Sequence, residues 1–116
     1  MKTLHSLSEQ LGGLLANQQQ ILASAESCTG GGVAYWVTEV AGSSAWFDRS
    51  FVTYSNEAKQ EMLGVRQATL QQFGAWLKVE TCHFAGDREQ VRQQAIAHVL
   101  QSLIEHLAAD QVQNVN

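Results

Sequence analysis

The 116-residue sequence contains no proline, where ordinary usage near 5% would supply about six. Proline marks loops and tight turns, so its absence points to a chain short of a loop-bearing part. Charge is also sparse. Only 16% of residues are charged, and seven Lys and Arg stand against eleven Asp and Glu for a net charge of −4. The basic residues are scattered, which excludes the clustered cationic face that grips a phosphate backbone, and no nucleic-acid partner is expected. The two cysteines, Cys28 and Cys82, lie far apart with no C-x-x-C pair. That spacing excludes a structural zinc site and gives no reason to expect a disulfide in a reducing compartment. No apolar run is long enough to cross a bilayer, and the opening Met1-Lys2-Thr3-Leu4-His5 lacks a signal peptide's apolar stretch. The expectation is a cytoplasmic protein with no membrane partner.

What is present suits one small domain spanning residues 1–116, with 45% hydrophobic residues to build a core. Leu4, Leu7, Leu11, Leu14 and Leu15 follow helical spacing and predict an amphipathic helix over residues 3–16, weakened in its second half by Gly12 and Gly13. Residues 21–25 form a short apolar run that predicts a buried strand. Gly30-Gly31-Gly32 follows, then a helix over 33–41 with Gly42 as its C-cap. Bulky β-formers alternate over 50–54 and predict a second strand. Asn56 suits the N-cap of a short helix over 57–63 ended by Gly64, and another short helix is expected over 67–73, ended by Gly74. A third strand is expected over 77–84. Asp87 and Gln90 then have capping-box spacing for a long C-terminal helix. Its expected core face is Val91, Ala95, Val99, Leu103 and Leu107, flanked by Ile96, Leu100 and Ile104, with a polar tail fraying from Asp110. Helices alternating with strands define an α/β fold, here a small layered sheet of about three strands with helices packed on it.

The segment Ser24-Ala25-Glu26-Ser27-Cys28-Thr29-Gly30-Gly31-Gly32 is the most informative stretch. In α/β folds, ligands bind beyond the carboxyl ends of strands. Glycines there let the backbone approach a ligand, and the next helix offers unpaired N–H groups. The nucleophile-elbow pattern G-x-S-x-G fails because Ala25 stands at its first glycine, and a P-loop fails because no Gly-Lys-Ser/Thr follows. Two readings stay open on the residues alone: Ser27 as a nucleophile in a ligand-facing turn, or a Ser/Thr N-cap in an ordinary tight turn.

A nucleophilic serine needs a base. His5, His98 and His106 fall within predicted helices, where packed or solvated histidines are the rule, and nothing singles out His83 in its predicted strand. Lys59 is favoured on electrostatic grounds. It lies in the first turn of the helix predicted after Asn56, where the macrodipole disfavours a cation by about 0.3–1 kcal/mol. Burial beside Tyr54 would push further toward the neutral amine that a base requires. The dipole alone cannot bring an amine from about 10.4 to neutrality, so desolvation must supply most of the shift. An ordinary exposed lysine is the alternative. Cys28 as a thiol nucleophile is a further reading. Arg88 and Arg92 are phosphate candidates, with solvated helix charges as the simpler account.

Three stretches together are more specific. Ala25-Glu26-Ser27-Cys28-Thr29-Gly30-Gly31, then Ala41-Gly42-Ser43-Ser44-Ala45-Trp46-Phe47, then Phe51-Val52-Thr53-Tyr54-Ser55-Asn56-Glu57-Ala58-Lys59 resemble the nicotinamide-nucleotide amidase family, that of the CinA carboxy-terminal domain and its stand-alone relatives. The resemblance runs from about Leu4 to Ala75. It resumes near Leu77 through Cys82-His83-Phe84-Ala85-Gly86-Asp87-Arg88 and the final helix. It implies hydrolysis of the carboxamide of nicotinamide mononucleotide to nicotinic acid mononucleotide and ammonia, in pyridine-nucleotide salvage and NAD metabolism. Carried onto this chain, Ser27 attacks the amide carbonyl, Lys59 accepts its proton, and Tyr54 orients or relays. Thr29, Gly30 and Gly31 line the substrate pocket with backbone donors. No metal or other cofactor is implied, and the expected partner is a small nucleotide substrate.

The departure from the family lies between Ala75 and Leu77. There the family continues into a helix, strands and a glycine-rich Gly-x-Ala-Gly-Pro loop, whereas Trp76-Leu77-Lys78-Val79-Glu80 follows here almost at once. An internal truncation near 75–77 would remove sheet strands and part of the active-site wall, along with the family's usual prolines. Strand edges exposed in this way pair with a neighbour, so a homo-oligomer is expected. The alternative function is a catalytically impaired relative serving only as a binding or assembly module.

Overall fold

The structure, a computed structural model, describes residues 3–53 and 85–115. The helices expected over 57–63 and 67–73 and the strand expected over 77–84 lie outside the described residues.

The first helix, α1 (Leu4–Gln18), starts where the Thr3 side chain accepts from the Ser6 N–H at 3.0 Å, satisfying one of the orphan donors of a helix start. It runs two residues past the predicted end. It stops at Gln19, whose left-handed φ of 56° lets the Gln20 N–H close onto the Leu15 carbonyl at 2.9 Å. Leu7, Leu11 and Leu15 are buried along one face, with Leu4 and Leu14 packed at its margin. The two glycines differ in role. A Cβ on Gly12 would lie 2.5 Å from Cζ2 of the buried Trp46 ring, whereas one on Gly13 would meet nothing within 4 Å. Gly12 is therefore the seat of the indole.

Strand β1 (Leu22–Glu26) sits one residue later than expected, with Ile21 left 62% exposed. After the glycine turn comes α2 (Gly32–Thr38), which ends short of Gly42. In its last turn the Thr38 hydroxyl bonds to the carbonyls of Ala34 and Tyr35 at 2.8 and 3.0 Å, a competing bond of the kind that weakens helix continuation. Gly42, at φ 83°, is the N-cap of a 3-10 helix (Ser43–Ala45) rather than the C-cap of α2. Strand β2 (Phe47–Val52) begins three residues before the predicted start, because the Leu22 N–H donates to the Trp46 carbonyl at 2.8 Å and opens the ladder there.

The strands pair in parallel, with Ser24 opposite Ser50 and Glu26 opposite Val52; an irregularity between Leu22 and Ala23 leaves Asp48 without a partner in the register. A parallel pair requires a crossover, and α2 with the 3-10 helix provides it. The C-terminal helix, α3 (Arg88–Val115), opens with the expected reciprocal box: the Gln90 N–H donates to Asp87 Oδ1 and the Asp87 N–H to Gln90 Oε1, both at 2.9 Å. The helix continues to Val115, past the point at Asp110 where fraying was expected. Its buried residues are Ile96, Leu100 and Ile104 together with the expected Ala95 and Leu107, while Val99 and Leu103 are only partly buried. The core face is thus rotated toward the residues expected to flank it, because α1 and α2 both pack on α3 and share that face. Gln18 ties the two long helices together by donating to the Leu107 carbonyl at 2.8 Å. The result is a reduced α/β fold, a small parallel sheet with helices packed on it, as the alternation of elements predicted.

Candidate functional site

Ser27 is the first residue beyond β1, at the carboxyl end of a parallel pair. That is the edge where α/β folds place ligands. Its side chain is half-buried, whereas the Cys28 thiol beside it is free and exposed. The chain reverses through two hydrogen bonds, Gly30 N–H to the Ser27 carbonyl at 3.0 Å and Gly32 N–H to the Thr29 carbonyl at 3.1 Å. The reversal needs left-handed backbone at Gly30 (φ 62°) and Gly31 (φ 91°), which costs a residue with a Cβ about 1–2 kcal/mol. Gly32 serves packing instead: a Cβ there would lie 2.4 Å from Cδ1 of Ile96.

The group that organises this turn is Glu26, which is 6% exposed. The N-cap residue of α2, Gly31, has no side chain to offer the helix start. Glu26 takes that part from five residues upstream. Its Oε1 accepts from the Val33 N–H at 2.7 Å and the Thr29 hydroxyl at 2.6 Å, and its Oε2 accepts from the Ala34 N–H at 3.1 Å. The Ser50 hydroxyl, from the facing strand, donates to Oε2 at 2.9 Å. The Ser24 Oγ lies 3.2 Å from the same oxygen and 2.8 Å from the Ser50 Oγ; having one proton, it serves the nearer acceptor. A buried carboxylate without partners would be prohibitively costly. Here the amides and hydroxyls, with the positive end of α2, supply the stabilisation.

The residues singled out from the sequence fare differently. Thr29 is buried, with its hydroxyl bound to Glu26, and the Gly30 N–H is bound within the turn. Among the described residues, the amides of Thr29 and Gly31 have no hydrogen-bond acceptor. Tyr54, Lys59 and His83 lie outside the described residues. Thr53, the last residue described before them, is 2% exposed, and its N–H donates to the Glu26 carbonyl at 2.8 Å. Thr53 therefore lies at the same end of the sheet as Ser27. His5 pairs with Glu9 on the surface of α1, and His98 and His106 are half-buried on α3, each with a partner. Arg88 and Arg92 are exposed in the opening turns of α3. A surface concavity of about 510 Å³ at the start of α3, lined by Gly86, Glu89 and Gln93 among others, includes no residue of the Ser27 turn.

Glu26, Ser24 and Ser50 were missed in the sequence, although Glu26 carries a signal. It is an acidic residue closing an otherwise small and apolar strand, just before glycines and a helix that lacks a capping side chain. Among the described residues no group of His, Cys, Asp and Glu could hold a metal ion, and no helix is long and apolar enough to cross a membrane.

The fold and turn define a class of protein: a small α/β unit with a serine on a glycine turn at the carboxyl edge of its sheet. The chain belongs to the CinA C-terminal domain family, whose profile matches residues 4–79. It is 57% identical over 74 residues to the nicotinamide-nucleotide amidohydrolase PncC of Enterobacter agglomerans, covering 64% of this chain and 45% of that one. Against the PncC of Escherichia coli strain K12 it is 60% identical over 72 residues, covering 62% and 44%. Among solved structures, the competence damage-inducible protein A of Klebsiella pneumoniae aligns with a TM-score of 0.78 at 25% identity, over 92% of this chain and 98% of that one. The competence/damage inducible protein CihA of Agrobacterium tumefaciens is 44% identical with a TM-score of 0.52, over 64% and 45%. The chain spans just under half the length of the curated relatives it matches.

Proposed function

We propose that the chain hydrolyses the carboxamide of nicotinamide mononucleotide, giving nicotinic acid mononucleotide and ammonia as a step of pyridine-nucleotide salvage. The observation that carries this reading is the family match over residues 4–79, a span that contains both Ser27 and Lys59. The names of the relatives at 57% and 60% identity supply the substrate. In this mechanism the Ser27 hydroxyl attacks the amide carbon as Lys59 takes its proton, with Tyr54 orienting or relaying. The carbonyl electrons move onto oxygen. Collapse of that oxyanion expels ammonia, which leaves with the proton returned by Lys59, and a Ser27 ester remains. Water, deprotonated by Lys59, attacks the ester, releases the acid and restores the serine. Thr29, Gly30 and Gly31 form the pocket floor. Of their groups, the Thr29 and Gly31 amides, which have no acceptor among the described residues, stabilise the oxyanion. No cofactor enters the scheme.

A second reading is favoured by one fact, the coverage of under half of each relative. A family member lacking a stretch after Ala75 would keep its serine while losing part of its pocket wall, and would persist as a binding or assembly module. Pairing through the strand edges so exposed would make it a homo-oligomer. Incubating the purified chain with nicotinamide mononucleotide separates the two. The enzymatic reading requires nicotinic acid mononucleotide and ammonia in equal amounts, with Lys59→Met slowing their release. A folded chain that forms neither product would leave the module.

A further inference from the structure

We propose that Glu26 is a positioning residue for the Ser27 nucleophile, a role that rests on the amidase reading above. The strand ends on Glu26 and the next residue is Ser27, so whatever fixes the carboxylate fixes the backbone that carries the serine. The carboxylate is held from three directions. Thr29 belongs to the turn itself, Val33 and Ala34 belong to α2, and Ser50 belongs to the facing strand, with bonds between 2.6 and 3.1 Å. Strand, turn and helix are thereby locked into one geometry around the buried Glu26 side chain.

The arrangement also decides which donors can serve the reaction. The amides at the start of α2 are occupied by Glu26, so the helix end is closed to a substrate oxyanion. The Gly30 amide is closed by the turn bond to Ser27. Among the described residues, the amides of Ser27, Cys28, Thr29 and Gly31 have no acceptor, and the left-handed backbone at Gly31 sets the direction of its N–H. Loosening Glu26 would free helix amides to compete for the oxyanion, and it would let Ser27 and the turn amides drift apart. Misplacement of reacting groups by about 1 Å costs on the order of 100-fold in rate. The effect falls on kcat, because the oxyanion exists only beyond the ground state.

The test compares wild type, Glu26→Gln and Ser50→Ala in the full chain. It reads kcat and KM for ammonia release from nicotinamide mononucleotide, hydrogen exchange of the Val33 and Ala34 amides, and the melting midpoint. Glutamine keeps the size of the side chain but presents an NH2 where Oε2 accepts the Ala34 amide. The expected result for Glu26→Gln is a kcat lower by about 10- to 100-fold, KM little changed, and faster exchange at Ala34. Ser50→Ala, which removes one donor from Oε2 without touching the turn, should move kcat and exchange in the same direction by less, and it serves if Glu26→Gln does not fold. A lower melting midpoint with unchanged kcat in the folded variants would overturn the proposal, since Glu26 would then hold the fold and not the serine. Unchanged exchange at Ala34 would overturn it as well. If wild type itself releases no ammonia, the amidase reading fails. The exchange data then still show whether Glu26 holds the turn.

Discussion

Gly12 and Gly13 are neighbours in the same helix, with the same intrinsic preference against it, yet they should respond oppositely to alanine. Each Gly→Ala change in a helix interior gains about 0.5–1 kcal/mol of propensity. Gly13 is exposed and has open space where the methyl would go, so it should keep the whole gain. Gly12 is buried, and its new Cβ would stand 2.5, 2.8 and 3.2 Å from Cζ2, Cε2 and Cη2 of Trp46. Carbon atoms pack at about 3.5–4.0 Å, so the indole must retreat by roughly 1 Å. Trp46 is 4% exposed, and its carbonyl starts the β1–β2 ladder. Overpacking of this kind costs about 1–3 kcal/mol. Because the propensity terms cancel between the two variants, that cost is the difference between them. At about 3–5 °C per kcal/mol for a chain of this size, the melting midpoints should separate by roughly 3–15 °C, with Gly13→Ala above wild type. Reversible thermal melts followed by far-ultraviolet circular dichroism measure this. Equal shifts for the two variants would refute the seating of Trp46 on α1.

Gly31→Ala forces a Cβ onto a φ of 91° and to within 3.3 Å of Val52 Cγ2; it should lower the urea-derived stability by about 1–2 kcal/mol, and an unchanged midpoint would contradict the left-handed turn. On the module reading, sedimentation velocity should find the chain self-associated, since strand edges opened by a truncation would pair with a neighbour. A monomer with a cooperative melt would remove that expectation.

The parts of this molecule that were legible in its sequence are those governed by local rules. The Leu7–Leu11–Leu15 face of α1, the Asp87–Gln90 capping box and the strand leading into the Ser27 turn all follow from spacing and side-chain chemistry within a few residues. The errors arose where distant residues decide. Gly12 looks like a weakness until Trp46, far along the chain, is seen to occupy its place. The buried stripe of α3 shifted to Ile96, Leu100 and Ile104 because α1 and α2 choose the face they pack on. Gly42 follows a helix that has already stopped, and the hydroxyl of Thr38 weakens its last turn. At the site, the candidate Ser27 was visible as a serine beside glycines. The carboxylate that holds its turn was not, because a capping role filled from five residues upstream of the N-cap leaves no fixed spacing to find. Ser50 joins only through strand register.

The proposed mechanism assigns the attack to Ser27 and not to the thiol next to it. Ammonia release from nicotinamide mononucleotide by Ser27→Ala and Cys28→Ala, each confirmed folded and compared with wild type, separates the two. Loss of an attacking serine removes on the order of 10⁶-fold of the rate in a serine hydrolase. Ser27→Ala should therefore fall to background, while Cys28→Ala retains most of the wild-type rate. Ammonia release that survives in Ser27→Ala and disappears in Cys28→Ala would move the attack to the Cys28 thiol.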